Sequence, residues 1–148
     1  MERYTRILQT ALQHRGEDDQ GVYLSPQRDI ALIHTRLAIL DLSQNGHQPM
    51  NIADQRYWIT FNGEIYNFLE LREHLEYEGE IFCSYTDTEV ILKLYAKHSE
   101  RCLDFLRGMF AFAIWDDHQK VCFMARDPFG IKPLYYWHQD QTLIFASE

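Results

Sequence analysis

The feature that most constrains this chain is residues 109–115, Met-Phe-Ala-Phe-Ala-Ile-Trp, in which every side chain is apolar. A strand that is apolar on both faces has to lie inside a layered structure, with other elements packed against each face of its sheet. Helical periodicity occurs at residues 4–11 and within 68–95, whereas strand patterns cluster at 22–34, at 57–61 and after 109. Because strands and helices come in blocks, the order favours an α+β fold over a doubly wound parallel sheet.

The N-terminal helix is predicted to have one apolar face. That face consists of Tyr4, Ile7, Leu8 and Ala11. These residues fall at three- and four-residue spacing, and Gly16 is a suitable C-terminal stop. Two further helices are expected after Asn67 and after Thr86, because both residue types cap helix N-termini. Glu89 gives the second of these helices the spacing of a capping box.

The segments between these elements carry three predictions. Residues 37–40 form a short apolar run, which predicts a further buried extended piece. Residues 43–54 contain Asn-Gly and Gln-Pro dipeptides and are predicted to be a surface loop. The strands at residues 134–137 and 143–146 are predicted to form a hairpin.

Composition and charge limit the classes of protein to which this chain can belong. Its 148 residues suit one domain, and 46% hydrophobic with 24% charged residues is the composition of a soluble globular protein. A formal net charge of −8 argues against binding to nucleic acid or to an anionic membrane. No apolar run approaches the roughly 20 residues that a spanning helix needs.

The cysteines are Cys83, Cys102 and Cys122. Such an odd and sparse set is not a disulfide framework, so we expect a reducing compartment, by default the cytoplasm. None of the three has an adjacent base that would lower its thiol pKa, so all are predicted to be structural, with Cys83 the most exposed. We find neither metal-site spacing nor a glycine-rich phosphate loop, and we expect no metal and no cofactor in this chain.

Asn62-Gly63 follows a predicted strand and allows two interpretations. Asn-Gly is the strongest short signal for a type I′ hairpin turn, and the pattern by itself favours that turn. The functional alternative is an oxyanion hole, in which the Asn62 amide and the Gly63 backbone N–H meet a developing negative charge. Glycine suits such a position because it has no Cβ.

Arg36 and Asp87 each allow a structural and a functional interpretation. Arg36 lies between apolar residues, so it is either a snorkelling surface arginine or a partly buried group that binds a carboxylate in bidentate fashion. Asp87 stands at a predicted helix start, where an acid offsets the helix dipole. The functional alternative is a carboxylate that holds an ammonium group.

Five collinear blocks cover almost the whole chain. They are HRGEDDQGVYL (14–24), HTRLAILDLSQNGHQPM (34–50), RYWITFNGEIYNFLELREHL (56–75), YTDTEVILKLYAKHSERCLDFLRGMFAFAIWDD (85–117) and ARDPFGIKPLYY (125–136). Together they resemble the N-terminal glutaminase domain of glutamine-hydrolysing asparagine synthetases, a class II glutamine amidotransferase. The sequences of FNGEIYN, GMFAFAIWD and RDPFGIKPLYY resemble asparagine synthetase more than the glucosamine-phosphate, purine or glutamate synthase branches.

The resemblance implies an N-terminal-nucleophile hydrolase fold, an αββα sandwich of two antiparallel sheets. It also implies that glutamine is hydrolysed to glutamate and ammonia. The ammonia would pass to a synthetase domain, normally in the same polypeptide, where aspartate is activated with ATP and Mg²⁺. Residues 1–148 would then be a partial glutaminase domain. The resemblance leaves the oligomeric state open, a homodimer included.

The resemblance also implies roles for individual residues in binding glutamine. Arg36 should bind the α-carboxylate, and Asp87 should hold the α-ammonium with help from Gly63 and Glu64. Asn62 and Gly63 should form the oxyanion hole. The backbone of Leu37, Ile39 and Leu40 should line the pocket.

The sequence departs from the family pattern at its start. The family begins with a methionine, a catalytic cysteine and a strand, whereas this chain has Met1-Glu2 followed at once by a predicted helix. Glu17 also stands where the family usually has proline. We therefore expect the first strand and the nucleophile to be absent from these 148 residues, and the isolated chain to be inactive. The alternative is a non-catalytic remnant that binds glutamine or a protein partner.

Overall fold

The computed structural model describes residues 2–52 and 55–148, with side chains described from residue 4 onward. The helices are α1 (Glu2–Leu12), α2 (Phe68–Tyr77) and α3 (Asp87–His98). The strands are β1 (Asp19–Leu24), β2 (Ala31–Arg36), β3 (Met50–Asn51), β4 (Tyr57–Ile65), β5 (Gly108–Asp116), β6 (Val121–Arg126), β7 (Tyr135–Gln139) and β8 (Thr142–Ala146). Short 3₁₀ turns lie at Gln13–Arg15, Gln44–Gly46 and Ser99–Asp104.

The apolar run becomes β5, which lies between β4 and β6 in a four-stranded antiparallel sheet of order β3-β4-β5-β6. Nine residues of β4 pair with β5, from Tyr57 opposite Asp116 to Ile65 opposite Gly108. Residues 110–116 of β5 are all buried. A strand covered on both faces is what the uninterrupted apolar pattern predicted.

One face of this sheet packs against α2 and α3. The core between them contains Ile59, Phe61, Leu75, Ile91 and Phe112, all at most 5% exposed. Alternate residues of β4 are buried in this core, so the intervening residues of the strand face the opposite side of the sheet. That opposite side is where the functional candidates lie.

Two hairpins, β1–β2 and β7–β8, and the helix α1 lie on the other side of the four-stranded sheet. Each hairpin is an antiparallel two-stranded sheet of its own. Tyr23 of the first hairpin stacks on Trp58 of β4 with ring centroids 4.0 Å apart. Thr35 of β2 donates a 3.0 Å hydrogen bond to the carbonyl of Leu12 in α1. The order of layers is therefore helices, sheet, hairpins and helix, with all strand pairing antiparallel.

Two predictions about the segments after β2 are wrong. Residues 37–40 do not form a buried extended piece: they have no regular structure, and Leu37 and Ile39 are each 64% exposed. The segment predicted as a surface loop is largely buried in its second half, where Gly46, Gln48 and residues 49–50 pack into the fold and β3 begins. Both errors arise because burial here is decided by packing between distant elements; residues 53 and 54 lie outside the described residues.

The N-terminal helix forms as predicted and ends before Gly16, but its apolar face is not buried. Tyr4 is 70% exposed and Ile7 is 54% exposed, and both line a cavity on the hairpin side of the sheet. Thr5 of this helix is buried. Among the described residues, no helix combines the length and apolarity needed to cross a bilayer.

Candidate functional site

A cavity of about 1260 Å³ lies between the four-stranded sheet and the two hairpins. Its wall includes every residue to which the sequence assigned a site role. Those residues are Arg36, Leu37, Ile39, Leu40, Asn62, Gly63, Glu64 and Asp87. They come from the end of β2 and the segment after it, from β4, and from the first residue of α3. The fold therefore brings residues that are more than 50 positions apart in the sequence together around one cavity.

Asn62 and Gly63 lie within β4 and not in a turn, so the hairpin-turn interpretation is wrong. They pair with Ala111 and Phe110 of β5. The side-chain nitrogen of Asn62 is buried and has no hydrogen-bond partner among the described residues. A buried amide donor normally has a partner, because leaving it without one costs about 1–3 kcal/mol. An unpaired donor in a cavity wall is an arrangement suited to a ligand oxygen.

Gly63 has a backbone conformation and surroundings that only glycine tolerates. Its φ is +155°. A Cβ at this position would lie 2.2 Å from the carbonyl oxygen of Met109 on the neighbouring strand. The missing side chain brings β4 and β5 together here and leaves the backbone beside Asn62 open to the cavity.

Asp87 is the first residue of α3 and is 5% exposed. Its Oδ2 accepts a 2.9 Å hydrogen bond from the backbone N–H of Ile65. Burial raises the pKa of Asp87 to about 6, despite this hydrogen bond, and the nearby charge of Glu64 acts in the same direction. Thr86, not Asp87, caps the helix, through a 3.3 Å bond from the N–H of Glu89. Among the described residues Asp87 makes no ion pair, and a buried carboxylate without a cation beside it is suited to receiving an ammonium group.

Arg36 is 8% exposed, so the snorkelling interpretation is wrong. Its guanidinium donates to the carbonyls of Ser43 at 3.0 Å and Leu40 at 3.2 Å, and also to the carbonyl of Asp41. These bonds fix the segment after β2, which contains the exposed Leu37 and Ile39. A guanidinium has five N–H donors, so this structural use leaves donors for an anion in the cavity.

Two residues of the cavity wall carried no signal in the sequence. Gln48 is buried and bonds to both β4 and α3, although its segment has the composition of a surface loop. His34 bonds to Thr60 across the two sheets at 3.3 Å. Burial, together with the nearby charge of Arg36, lowers the pKa of His34 to about 4, so this histidine is neutral at pH 7.

Neither Cys102 nor Cys122 is ionised as a nucleophile. Burial raises the pKa of Cys102 to about 12 and that of Cys122 to about 11. Cys122 lines the cavity but lies away from Asn62. It pairs with Trp115 of β5, whereas Asn62 pairs with Ala111 of the same strand. Four residues of a strand separate Trp115 from Ala111 by about 13 Å. Cys83 is exposed, as predicted. Across residues 2–52 and 55–148, no group of His, Cys, Asp and Glu side chains is arranged to hold a metal ion.

Comparison with protein families identifies this arrangement. A family model described as a glutamine amidotransferase domain matches residues 2–148. The chain belongs to the glutamine amidotransferase domain family. It is similar to the glutamine-hydrolysing asparagine synthetase 1 of Bacillus subtilis, with 48% identity over 135 residues, and to asparagine synthetase 3 of Arabidopsis thaliana, with 44% identity over 147 residues.

The amidotransferase domain spans only a part of these relatives. The alignments include 91% and 97% of this chain, but 21% and 25% of the Bacillus and Arabidopsis proteins. Among solved structures, the glutamine phosphoribosylpyrophosphate amidotransferase of Bacillus subtilis, complexed with ADP and GMP, matches 79% of this chain and 27% of its own, with a TM-score of 0.66 and 26% identity. This likeness confirms the predicted N-terminal-nucleophile hydrolase fold class.

Proposed function

We propose that this amidotransferase domain binds L-glutamine in the cavity and stabilises the oxyanion formed when the side-chain amide is hydrolysed to glutamate and ammonia. It would act as the glutaminase part of a cytoplasmic glutamine-hydrolysing asparagine synthetase. A synthetase domain would use the ammonia to amidate aspartate, and the requirement for ATP and Mg²⁺ belongs to that domain. The observation that carries the proposal is the buried, unpartnered amide nitrogen of Asn62 beside Gly63.

The cavity wall contains complementary groups for each polar end of glutamine. A zwitterionic amino acid needs a cation for its carboxylate, an anion for its ammonium, and donors for the carbonyl oxygen of its amide. Arg36, Asp87 and the Asn62-Gly63 pair supply these three, and all line one space. Bringing an ammonium next to Asp87 would return its raised pKa toward the ordinary range, because the new charge favours the ionised carboxylate.

The Asn62 amide and the Gly63 N–H would act mainly in the transition state. When a nucleophile attacks the amide carbon, negative charge develops on the carbonyl oxygen, and preorganised donors stabilise that charge without reorienting. Removing one such donor typically lowers turnover by about 10²–10³-fold. Asn62→Ala is therefore expected to lower turnover more than glutamine affinity.

The nucleophile is a separate requirement. Thiolates attack amides and protonated thiols do not, and the raised pKa values of Cys102 and Cys122 keep both protonated at pH 7. Cys83 is exposed. We therefore expect the 148-residue chain by itself to bind glutamine without measurable release of ammonia.

A calorimetric titration with L-glutamine tests binding. We expect saturable heat with the wild-type chain, none with D-glutamine, and none with Arg36→Ala or Asp87→Ala. Glu100→Ala, at an exposed site in the 3₁₀ turn after α3, is the matched control and should bind normally. Unchanged affinity in Arg36→Ala and Asp87→Ala would refute the proposed pocket.

A second assay separates the glutaminase from a non-catalytic remnant of the domain. Ammonia release is measured for the chain as it stands and for a version extended by the cysteine-bearing N-terminal segment that the family resemblance implies. Turnover only in the extended version supports the glutaminase function. Binding without turnover in either version would favour the remnant, and cysteine-dependent turnover by the unextended chain would overturn our view of the nucleophile.

A further inference from the structure

We infer that Gln48 is a positioning residue that sets the spacing between the oxyanion donors on β4 and the ammonium-binding carboxylate on α3. The inference rests on the proposed function, since it names what holds that glutamine site in shape. Gln48 lies in a segment whose composition predicts a surface loop, yet it is only 7% exposed. Its burial has to be explained by its contacts.

The side-chain amide of Gln48 connects two elements. Its Oε1 accepts a 2.7 Å hydrogen bond from the backbone N–H of Phe61, the residue before Asn62. Its Nε2 donates a 3.2 Å hydrogen bond to Oγ1 of Thr88, the residue after Asp87. One carboxamide therefore joins the immediate neighbours of two proposed glutamine-binding residues.

The register of the sheet explains why a side chain is needed at this point. β3 pairs with β4 through Met50 opposite Ile59 and Asn51 opposite Trp58. Continuing this antiparallel register places residue 48 opposite Phe61, but β3 begins only at Met50. The backbone N–H of Phe61 would lose its partner there, and the Gln48 side chain replaces the missing strand.

Because of this hydrogen bond from Phe61, Gln48 helps to hold β4 against α3 at the proposed glutamine site. Asp87 is also tied to β4 at the far side of Asn62, through the 2.9 Å bond from the N–H of Ile65. With Gln48 the contact between β4 and α3 has two anchor points, on either side of Asn62-Gly63. Two polar anchors fix both the distance and the angle between the strand and the helix, whereas with one anchor the angle depends on apolar packing alone. The donor set and the carboxylate are then held in one geometry before a ligand arrives.

The test compares two substitutions, each of which removes a carboxamide that makes two hydrogen bonds within the fold. Gln48→Met keeps the shape of the side chain and removes both hydrogen bonds. Asn67→Leu is the matched control, because the Asn67 carboxamide also makes one donated and one accepted hydrogen bond, to the carbonyl of Phe105 and from the N–H of Arg107, both at 3.0 Å. Asn67 is not part of the cavity wall.

Two measurements on the unliganded chain are made by NMR, namely amide exchange at Ile65 and the titration midpoint of the Asp87 carboxyl. For Gln48→Met we expect exchange at Ile65 to be about tenfold faster. We expect the Asp87 midpoint to fall toward its ordinary value, because burial is the largest cause of the raised pKa and its loss on loosening outweighs the weaker bond from Ile65. For Asn67→Leu both should match the wild type even if its thermal midpoint is lower. A purely structural role for Gln48 would lower the thermal midpoint without changing either measurement, and that result would overturn the inference.

Calorimetry with L-glutamine then separates the inference from the proposed function. We expect Kd to rise about tenfold or more in folded Gln48→Met and to stay unchanged in Asn67→Leu. If the wild-type chain does not bind glutamine, the proposed function fails, whereas the NMR measurements still decide the geometric role of Gln48. If the wild type binds and Gln48→Met binds equally well with unchanged NMR values, the inference alone fails.

Should Gln48→Met not fold, Thr88→Val provides the second variant. It removes the bond to α3 and leaves the bond between Gln48 and Phe61 intact. The expected changes at Ile65 and Asp87 have the same direction and a smaller size. No change in a folded Thr88→Val would count against the inference in the same way.

Discussion

At the scale of single residues, Asp87 shows a conflict between stability and binding. Its carboxyl is buried among groups that do not neutralise it, and its pKa is raised from 3.8 to about 6. The folded state therefore binds a proton more tightly than the unfolded state, so ionisation of Asp87 lowers stability progressively from pH 3.8 to about 6, and the full cost is present above pH 6. An ammonium group held beside this carboxylate would offset the cost of its charge, and holding such a group is the role proposed for Asp87.

Asp87→Asn is expected to increase stability and abolish binding. Asparagine can still accept the hydrogen bond from Ile65, and it removes the buried charge. The free energy of unfolding at pH 7.5, measured with urea, should rise by on the order of 2 kcal/mol, while the heat of glutamine binding disappears. Asp104→Asn, at an exposed position paired with Arg101 at 3.7 Å, should change neither quantity appreciably. A destabilised Asp87→Asn would contradict the assigned pKa.

Gly63→Ala should be strongly destabilising, because the new Cβ would meet the carbonyl oxygen of Met109 and the φ of +155° is unfavourable for alanine. We expect a loss of about 2–4 kcal/mol in urea unfolding. Gly79→Ala is the control for backbone strain alone. Gly79 has a φ of +94° and nothing within 4 Å of the position of a Cβ, so its substitution should cost only about 1–2 kcal/mol. Equal losses of unfolding free energy at the two sites would show that the close approach of β5 to Gly63 adds nothing to the cost of the substitution.

At the scale of elements, the N-terminus of α3 presents Asp87 to the cavity, and its cap differs from the predicted one. Thr86 does accept the N–H of Glu89, but the Glu89 carboxylate does not complete a capping box. It accepts instead from the backbone N–H of Cys83 at 2.9 Å and from the N–H and hydroxyl of Ser84, both at 2.7 Å. The carboxylate thus orders the segment before the helix, and the helix start is held from both sides.

Thr86→Ala is expected to lower the free energy of unfolding by about 1 kcal/mol, because the N–H of Glu89 loses its cap. Amide exchange in the first turn of α3 should increase, and exchange in α2 should not. Thr10→Ala is the control, since the Thr10 hydroxyl donates to the carbonyl of Arg6 on an exposed helix face. Equal effects of the two substitutions on stability would contradict a specific capping role.

At the scale of the whole molecule, two buried groups give opposite pH dependences of stability. His34 is neutral in the fold, and its pKa is lowered from 6.5 to about 4. The unfolded state therefore takes up a proton first on acidification, and His34 destabilises the fold increasingly from pH 6.5 down to 4. Asp87 acts in the other direction over nearly the same range, because its folded pKa of about 6 exceeds its unfolded value.

Substituting either group should reveal the pH dependence of stability that the other group contributes. Between pH 7 and pH 4.5, the free energy of unfolding of His34→Gln is expected to rise on acidification, and that of Asp87→Asn to fall. The wild type should change less than either variant. Urea titrations at pH 7.0, 5.5 and 4.5 measure all three, and parallel pH profiles for the wild type and both variants would refute the opposing roles.

The sequence by itself determined the parts of this protein that depend on local pattern. The apolar run of β5 required a central strand with layers on both faces, and three- and four-residue spacing gave α1, α2 and α3 close to their observed positions. The five family blocks gave the glutamine amidotransferase family, which the family match confirms. The residue types at 36, 62, 63 and 87 suggested complementary groups for an amino acid, although their role in binding stays a prediction.

The tertiary structure decided what local pattern left open. Asn62-Gly63 has the sequence of a turn, but nine residues of pairing with β5 keep it within a strand. Gln48 lies in a turn-rich segment, but the end of β3 leaves the N–H of Phe61 to its side chain. In both cases the deciding partner is distant in the sequence, and hydrogen-bond satisfaction between distant elements outweighs local preference. The physical reason is that burial, and with it the pKa of a group such as Asp87, exists only once the chain has closed around the cavity.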